Sequence, residues 1–168
     1  MIPTYVTKKE AARLRELARG KVVLELGAQY GFSTVTMGEV ARQVWSIDWH
    51  QGDPQAGIQD TLNDYLANVR ALRLSGAVVP VVGRFEDVLP QLRPGSFDLI
   101  FHDGYHGLAD MVRDFTLALP LLRWAGVLAV HDWPNFDVEE ACRGVLGEPH
   151  QLVEHLAIWR SLPGRSHL

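Results

Sequence analysis

Five times along this chain a short apolar run closes on glycine or a polar residue and then gives way to helical spacing. The runs are Lys21–Leu26, Val44–Asp48, Val78–Val82, Phe97–His102 and Val127–His131. Repeated strand-then-helix order requires each crossover to lie over the sheet, which points to an α/β fold with a mostly parallel sheet and helices on both faces. Before the first run, Thr7 and Glu10 have capping-box spacing and Gly20 is placed to end a helix over Thr7–Arg19. Helical patterning returns over Phe32–Gln43. It returns again in a stripe of Ile58, Leu62, Tyr65, Leu66, Val69 and Leu72, and in a second of Leu108, Met111, Val112, Phe115, Leu119 and Leu122. A short helix is expected near Val138–Leu146, and one or two closing strands within Gln151–Leu162. Pro80 cannot donate to a sheet ladder, so the third strand is expected at an edge.

At 168 residues, with no repeat and no Gly/Ser linker, the expectation is one domain over 1–168, an N-terminal helix in 1–20 and the layered core in 21–168. Sixteen basic against 20 acidic residues, without a basic block, argue against a nucleic-acid partner, since phosphate binding needs clustered positive charge. One cysteine, Cys142, excludes an internal disulfide and a multi-cysteine zinc site. No apolar run approaches the roughly 20 residues that span a bilayer, and the opening MIPTYVTKKEAARLREL is too polar for a signal peptide. A cytoplasmic protein without a membrane partner is expected.

In open α/β sheets ligands bind beyond the carboxyl ends of the strands. Unusual polar residues collect there: Glu25 and Gly27, Asp48, His102 and Asp103, His131 and Asp132. Four of the seven histidines (His50, His102, His106 and His131) lie in or just after these ends. The loop Glu25-Leu26-Gly27-Ala28-Gln29-Tyr30-Gly31-Phe32-Ser33 joins the first strand to a helix. Gly27 permits a sharp turn, and Gly31 lets the backbone approach a ligand. Asp48, 21 residues after Gly27, is placed to accept hydrogen bonds from both ribose hydroxyls of a nucleoside cofactor. A turn or helix-capping role for Asp48 stands beside that reading.

The pieces LELGAQYGFST, SIDWH, FDLIFHDGYHG and LLRWAGVLAVHDW, in this order, resemble class I S-adenosylmethionine-dependent methyltransferases along almost the whole chain. The last two are most similar to the small-molecule and sugar O-methyltransferase branch related to the catechol O-methyltransferases. The resemblance implies a Rossmann-like, doubly wound sheet of seven strands with the third at an edge. It implies that Glu25, Gly27 and Gly31, with Ser33 at the helix start, surround the methionyl part of the cofactor. Asp48 would hold the ribose, Trp49 or Phe85 would cover the adenine, and Asp103 would sit near the sulfonium. Trp49 would equally serve as core packing.

Related metal-dependent enzymes bind a divalent cation, Mg2+, whose charge acidifies the acceptor hydroxyl. Asp103 and Asp132 match two of its ligand positions. The third falls on Trp133, which cannot coordinate a metal, and leaves Asn135 or His131 as substitutes. His106 matches the position of a general base, with capping of the next helix or a bond to Asp132 as its plainer roles. His102 and His131 precede their aspartates and read as satisfied core residues, and Cys142 as buried packing. The loops Trp49–Ile58 and Trp133–Val138, carrying Trp49, Trp133 and Phe136, are expected to wall the pocket for a small-molecule acceptor. A neighbouring subunit, making a homodimer, would complete that wall.

The expected activity is therefore methyl transfer from S-adenosylmethionine to a small-molecule hydroxyl. Three rivals stay open on residues alone. A nicotinamide-dependent dehydrogenase would also use a glycine turn and Asp48, but lacks room for a substrate domain. A metal-dependent hydrolase would use Asp103, His106, His131 and Asp132. A catalytically inactive cofactor-binding module would keep Glu25, Gly27, Gly31 and Asp48.

Overall fold

The computed structural model describes residues 1–160. Helix α1 (Lys8–Ala18) starts at Thr7, whose hydroxyl accepts the Glu10 N–H while the Glu10 carboxylate accepts the Thr7 N–H. Strand β1 (Val22–Leu26) follows, then α2 (Phe32–Gly38) and β2 (Gln43–Asp48). A small hairpin of β3 (Gly52–Asp53) and β4 (Gly57–Ile58) precedes α3 (Leu62–Ala71), β5 (Val78–Val82) and the short α4 (Phe85–Val88). The second half runs β6 (Phe97–His102), α5 (Leu108–Ala118), β7 (Leu122–Val130), α6 (Phe136–Leu146), β8 (Gln151–Val153) and β9 (Leu156–Arg160).

The main sheet has seven strands in the order β5-β2-β1-β6-β7-β9-β8, parallel from β5 to β7 and antiparallel through β9 and β8. The edge position of β5 is the one Pro80 demanded. One core lies between the sheet and α5 and α6, around Leu24, Leu26, Ile100, Phe115, Val138 and Trp159. The other lies between the sheet and α1, α2 and α3, around Leu14, Val23, Val35, Tyr65, Val69 and Phe101. The alternation of β-strand side chains sorts residues between these cores. No helix among the described residues is long and apolar enough to cross a membrane.

Several boundaries differ from the sequence reading. Helix α2 stops at Gly38 instead of reaching Gln43, because the Gly20 N–H binds the Val40 carbonyl and the N–H groups of Arg42 and Gln43 bind that of Lys21. Those bonds draw the chain off the helix and into register with β1. Ile58 is no part of the α3 stripe. It is fully exposed on the hairpin, whose tip forms where Asp53 Oδ1 accepts the N–H groups of Gln55 and Ala56, each at 2.7 Å. Strand β7 begins at Leu122 and carries a register shift opposite Phe97–Leu99, so Gly126 lies inside it. Two closing strands form, β8 and β9. Ser161 and Leu162, the end of that expected stretch, lie outside the described residues.

Candidate active site

A cleft of about 800 Å³ opens at the carboxyl ends of β1, β2, β5 and β6. Gly27, Gln29, Ser33, Asp48, Trp49, Phe85, Asp103, His106, His131 and Asp132 all line it. Asp48 ties its floor together. Its Oδ2 accepts the N–H groups of Ala28 and Gln29, both at 2.7 Å, and its Oδ1 accepts the His50 N–H at 2.6 Å. A carboxylate has about four acceptor sites, so one remains on Oδ1 for a ligand hydroxyl, where the sequence reading expected two ribose bonds.

The two loop glycines answer to protein neighbours. Gly27 has φ +89°, and a Cβ there would stand 2.3 Å from the Asp103 carbonyl oxygen. Gly31 has φ +87°, and its Cβ would meet the Tyr65 ring at 2.9 Å. Gly31 is thus required by the close seat of Tyr65, where the sequence reading gave it to the ligand.

Glu25 lies beneath the loop, fully buried, and is not among the cleft residues. Alternation along β1 puts it on the face of Val23, toward α2 and α3. Its Oε2 accepts the hydroxyl of Ser46 at 2.7 Å and that of Thr34, and its Oε1 has no partner among the described residues. Burial pushes its pKa up to about 7, against the pull of the Ser33, Thr34 and Ser46 hydroxyls. Because the folded pKa exceeds the unfolded one, this group favours folding below pH ~4.5, and that contribution declines as pH rises to about 7. The full decline is on the order of 3 kcal/mol, or a Tm change of about 6–12 °C. Thermal denaturation from pH 5 to 8 should therefore show a smaller Tm decline in Glu25→Gln than in the wild type. Parallel declines would contradict the assignment.

At the far end of the cleft, five groups converge. His131 Nδ1 lies 3.1 Å from Asp103 Oδ1 and 3.3 Å from Asp132 Oδ1, and its Nε2 lies 3.2 Å from Glu10 Oε2. Burial opposes charge on this ring, but the hydrogen bonds to Asp103 and Asp132 and their negative charge push its pKa up to about 11. His106 is 8% exposed, with Nε2 3.4 Å from Asp132 Oδ2. That is an ion-pair distance without hydrogen-bond alignment, and neither ring nitrogen has a hydrogen-bond partner among the described residues. Burial outweighs the attraction of Asp132 and Asp103 and holds the His106 pKa below the usual 6.5, so the ring is neutral at pH 7.

A glycine-turn loop, a carboxylate at the end of β2 and a histidine–aspartate cluster just beyond β6 and β7 all open onto one cleft. The family profile described as "Methyltransferase domain" matches residues 24–133, the stretch that carries all of these. The chain belongs to this methyltransferase family. No curated protein matches its sequence. Among solved structures it is similar to cofactor-bound Rv0187 from MTB, at 24% identity over 95% of this chain and 83% of that one, with a TM-score of 0.74. It is similar to the O-methyltransferase NovP, at 16% identity over 95% and 82% of the two chains and a TM-score of 0.80. It is also similar to the O-methyltransferase TomG from Streptomyces achromogenes, at 23% identity over 83% and 69% and a TM-score of 0.67. These likenesses show the Rossmann-like fold.

The methyltransferase's cleft fits S-adenosylmethionine. Its volume is within the range of small-molecule sites. Asp48 keeps one acceptor that could take a ribose hydroxyl, and Asp103 could face the sulfonium end. Trp49 is 37% exposed at the cleft, with the Arg84 guanidinium 4.8 Å from its ring centroid, so it is no core residue. Phe85 sits against Gly104, where a Cβ would meet its ring at 2.6 Å.

A divalent cation would have to compete with a side chain of the protein for its two candidate carboxylates. Asp103, His131 and Asp132 offer donor atoms within 4.8 Å of one another. However, His131 Nδ1 already faces an oxygen of each carboxylate. Trp133 is buried against Trp159, so it neither ligates nor walls an acceptor pocket. Asn135 is the cap of α6, accepting the Asp137 N–H at 3.2 Å. Magnesium takes a near-octahedral set of oxygens, several of them water, and among the described residues Asp103 and Asp132 are the two carboxylates grouped for such a set, with the His131 ring against both. The side chain of Phe136 lies outside the described part of the structure.

Of the four clustered histidines, His50 bonds Thr61 and sits against Tyr65, and His102 faces α5 with Nε2 3.3 Å from Asp114. His131 points the other way, on the face of Ala129, and enters the site instead of the core. Sequence reasoning missed Pro3–Val6, which line the cleft, and the second role of Glu10. The capping box exposed Glu10 as a cap, but no local pattern marks a partner 121 residues away.

Proposed function

We propose that the chain methylates a hydroxyl oxygen of a small molecule, with His106 accepting the hydroxyl proton. The observation that carries this reading is His106 itself: a buried, neutral ring at the cleft, beside Asp132, with neither nitrogen hydrogen-bonded among the described residues. Bound S-adenosylmethionine supplies an electrophilic methyl carbon on a sulfonium. The acceptor oxygen forms the new bond to that carbon as the carbon–sulfur bond breaks, and the bonding pair stays on sulfur. His106 takes the proton as the oxygen gives up its charge, and Asp132 Oδ2, 3.4 Å away, stabilises the imidazolium. Asp48 and Trp49 hold the nucleoside end, and Asp103 sits where positive charge is lost. Titratable carboxylates far outnumber arginines on the lining, which favours a neutral or cationic acceptor over an anionic one. In this reading a second copy of the chain closes the open mouth. A fully active monomer in sedimentation velocity would dispense with it.

Calorimetric titration of S-adenosylhomocysteine tests the cofactor, with micromolar binding expected and no binding overturning the reading. With an acceptor found by screening hydroxylated compounds against a radiolabelled methyl donor, His106→Ala should lower kcat about 10²–10⁴-fold. Its affinity for S-adenosylhomocysteine should stay within about threefold of the wild type, since the base acts only on the acceptor. Wild-type kcat should fall as pH drops through a pKa below 6.5, because acid protonates the base, and should be flat above pH 7. Unchanged turnover in His106→Ala would remove the base from His106.

A further inference from the structure

Strands β6 and β7 run parallel with His102 opposite Val130, so the residues that follow, Asp103 on one and His131 and Asp132 on the other, are set side by side. Two carboxylates held together at a strand end repel unless positive charge lies between them. Here that place is taken by a side chain of the protein. His131 is 2% exposed, with Nδ1 facing Asp103 and Asp132 and Nε2 facing Glu10, itself wholly buried. A neutral imidazole has one nitrogen that only accepts, and on this ring it would confront a carboxylate lone pair. Both nitrogens donate only in the imidazolium.

Glu10 is fixed for the purpose. Its Oε2 accepts the Thr7 N–H at 2.8 Å, and its Oε1 accepts the His155 N–H at 2.6 Å, so α1 and the turn between β8 and β9 both fasten it. We propose that His131, positioned by Glu10, is the built-in cation of this site, bridging Asp103 and Asp132 in place of a divalent metal. The inference rests on the methyl-transfer reading for its consequence. His131 holds Oδ1 of Asp132, which turns Oδ2 toward His106, the proton acceptor. Glu10 and His131 are positioning residues, and metal plays no part in orienting the base.

The test is titration of the metal-stripped chain with Mn2+, followed by electron paramagnetic resonance of the free ion. The wild type should take up no stoichiometric Mn2+ below millimolar concentration. His131→Asn, which keeps a polar side chain but removes the charge, should acquire one Mn2+ per chain at least tenfold tighter. One equivalent bound by the wild type at micromolar concentration and lost in Asp103→Asn would overturn the proposal. So would a folded His131→Asn that binds Mn2+ no better than the wild type. Should that variant not fold, nitrogen-15 spectra of the histidine-labelled wild type at pH 8 decide. One ring protonated on both nitrogens, insensitive to chelator, supports the built-in cation, and only neutral rings overturn it. S-adenosylhomocysteine is titrated into the same samples. Cofactor binding together with tight Mn2+ uptake sinks this inference alone, and lost cofactor binding sinks the methyl-transfer reading.

Discussion

Asp48→Asn should weaken S-adenosylhomocysteine binding by about 100-fold while leaving the sheet folded. The carboxylate accepts three backbone N–H groups at 2.6–2.7 Å, from Ala28, Gln29 and His50, and so sets the shape of the loop between β1 and α2. An amide has one acceptor oxygen. If that oxygen keeps the Ala28 and Gln29 bonds, the NH2 group confronts the His50 N–H and offers a donor to the ribose hydroxyl. If it turns the other way, two loop donors lose their partner. Hydrogen bonds to a charged acceptor contribute roughly 1.5–3 kcal/mol each. Losing the equivalent of one or two, about 3 kcal/mol, corresponds to about 100-fold in affinity. Calorimetry on the variant checks this, and a loss below tenfold would mean that Asp48 serves the turn alone.

Gly27→Ala should cost the central sheet much of its stability. Its φ of +89° is one that L residues adopt at a cost of roughly 1–2 kcal/mol. The added Cβ would also stand 2.3 Å from the Asp103 carbonyl oxygen and 2.8 Å from the Gly104 nitrogen. Both are backbone atoms at the end of a central strand, with the Asp103 N–H bound to the Leu26 carbonyl at 2.8 Å, so neither yields as a flexible side chain would. A total of about 3 kcal/mol or more should lower Tm by about 6–12 °C. Gly57→Ala is the matched control, with φ +75° and nothing within 4 Å of the new Cβ. It should lose only the conformational part, about 2–8 °C. Equal losses in the two variants would show that the approach to Asp103 is unimportant.

Much of the fold was legible because local spacing carries it. Short apolar runs located the five parallel strands, Pro80 put β5 at the edge, and Thr7 with Glu10 marked the start of α1. The hairpin at Gly52–Ile58 was not legible, since two-residue strands have no periodicity and Ile58 happened to extend the spacing of α3. The end of α2 was hidden for another reason. Hydrogen bonds from Arg42 and Gln43 to Lys21 end it, and these belong to strand pairing instead of helix propensity.

The candidate site divides along the same line. By itself the sequence determined that Gly27, Asp48, Asp103, His106 and Asp132 would meet at one end of the sheet, because parallel strands put their carboxyl ends together. Tertiary packing decided what each of them faces. Glu25 went under the floor, Gly31 was spent on the Tyr65 ring, and Trp133 joined the core beside Trp159. His131, which reads as a core histidine, came to lie between three carboxylates, one of them supplied by α1 from 121 residues away. Spacing fixes the element and the face on which a side chain stands. The charge it meets comes from whichever distant element covers that face, and only the folded chain brings the two together.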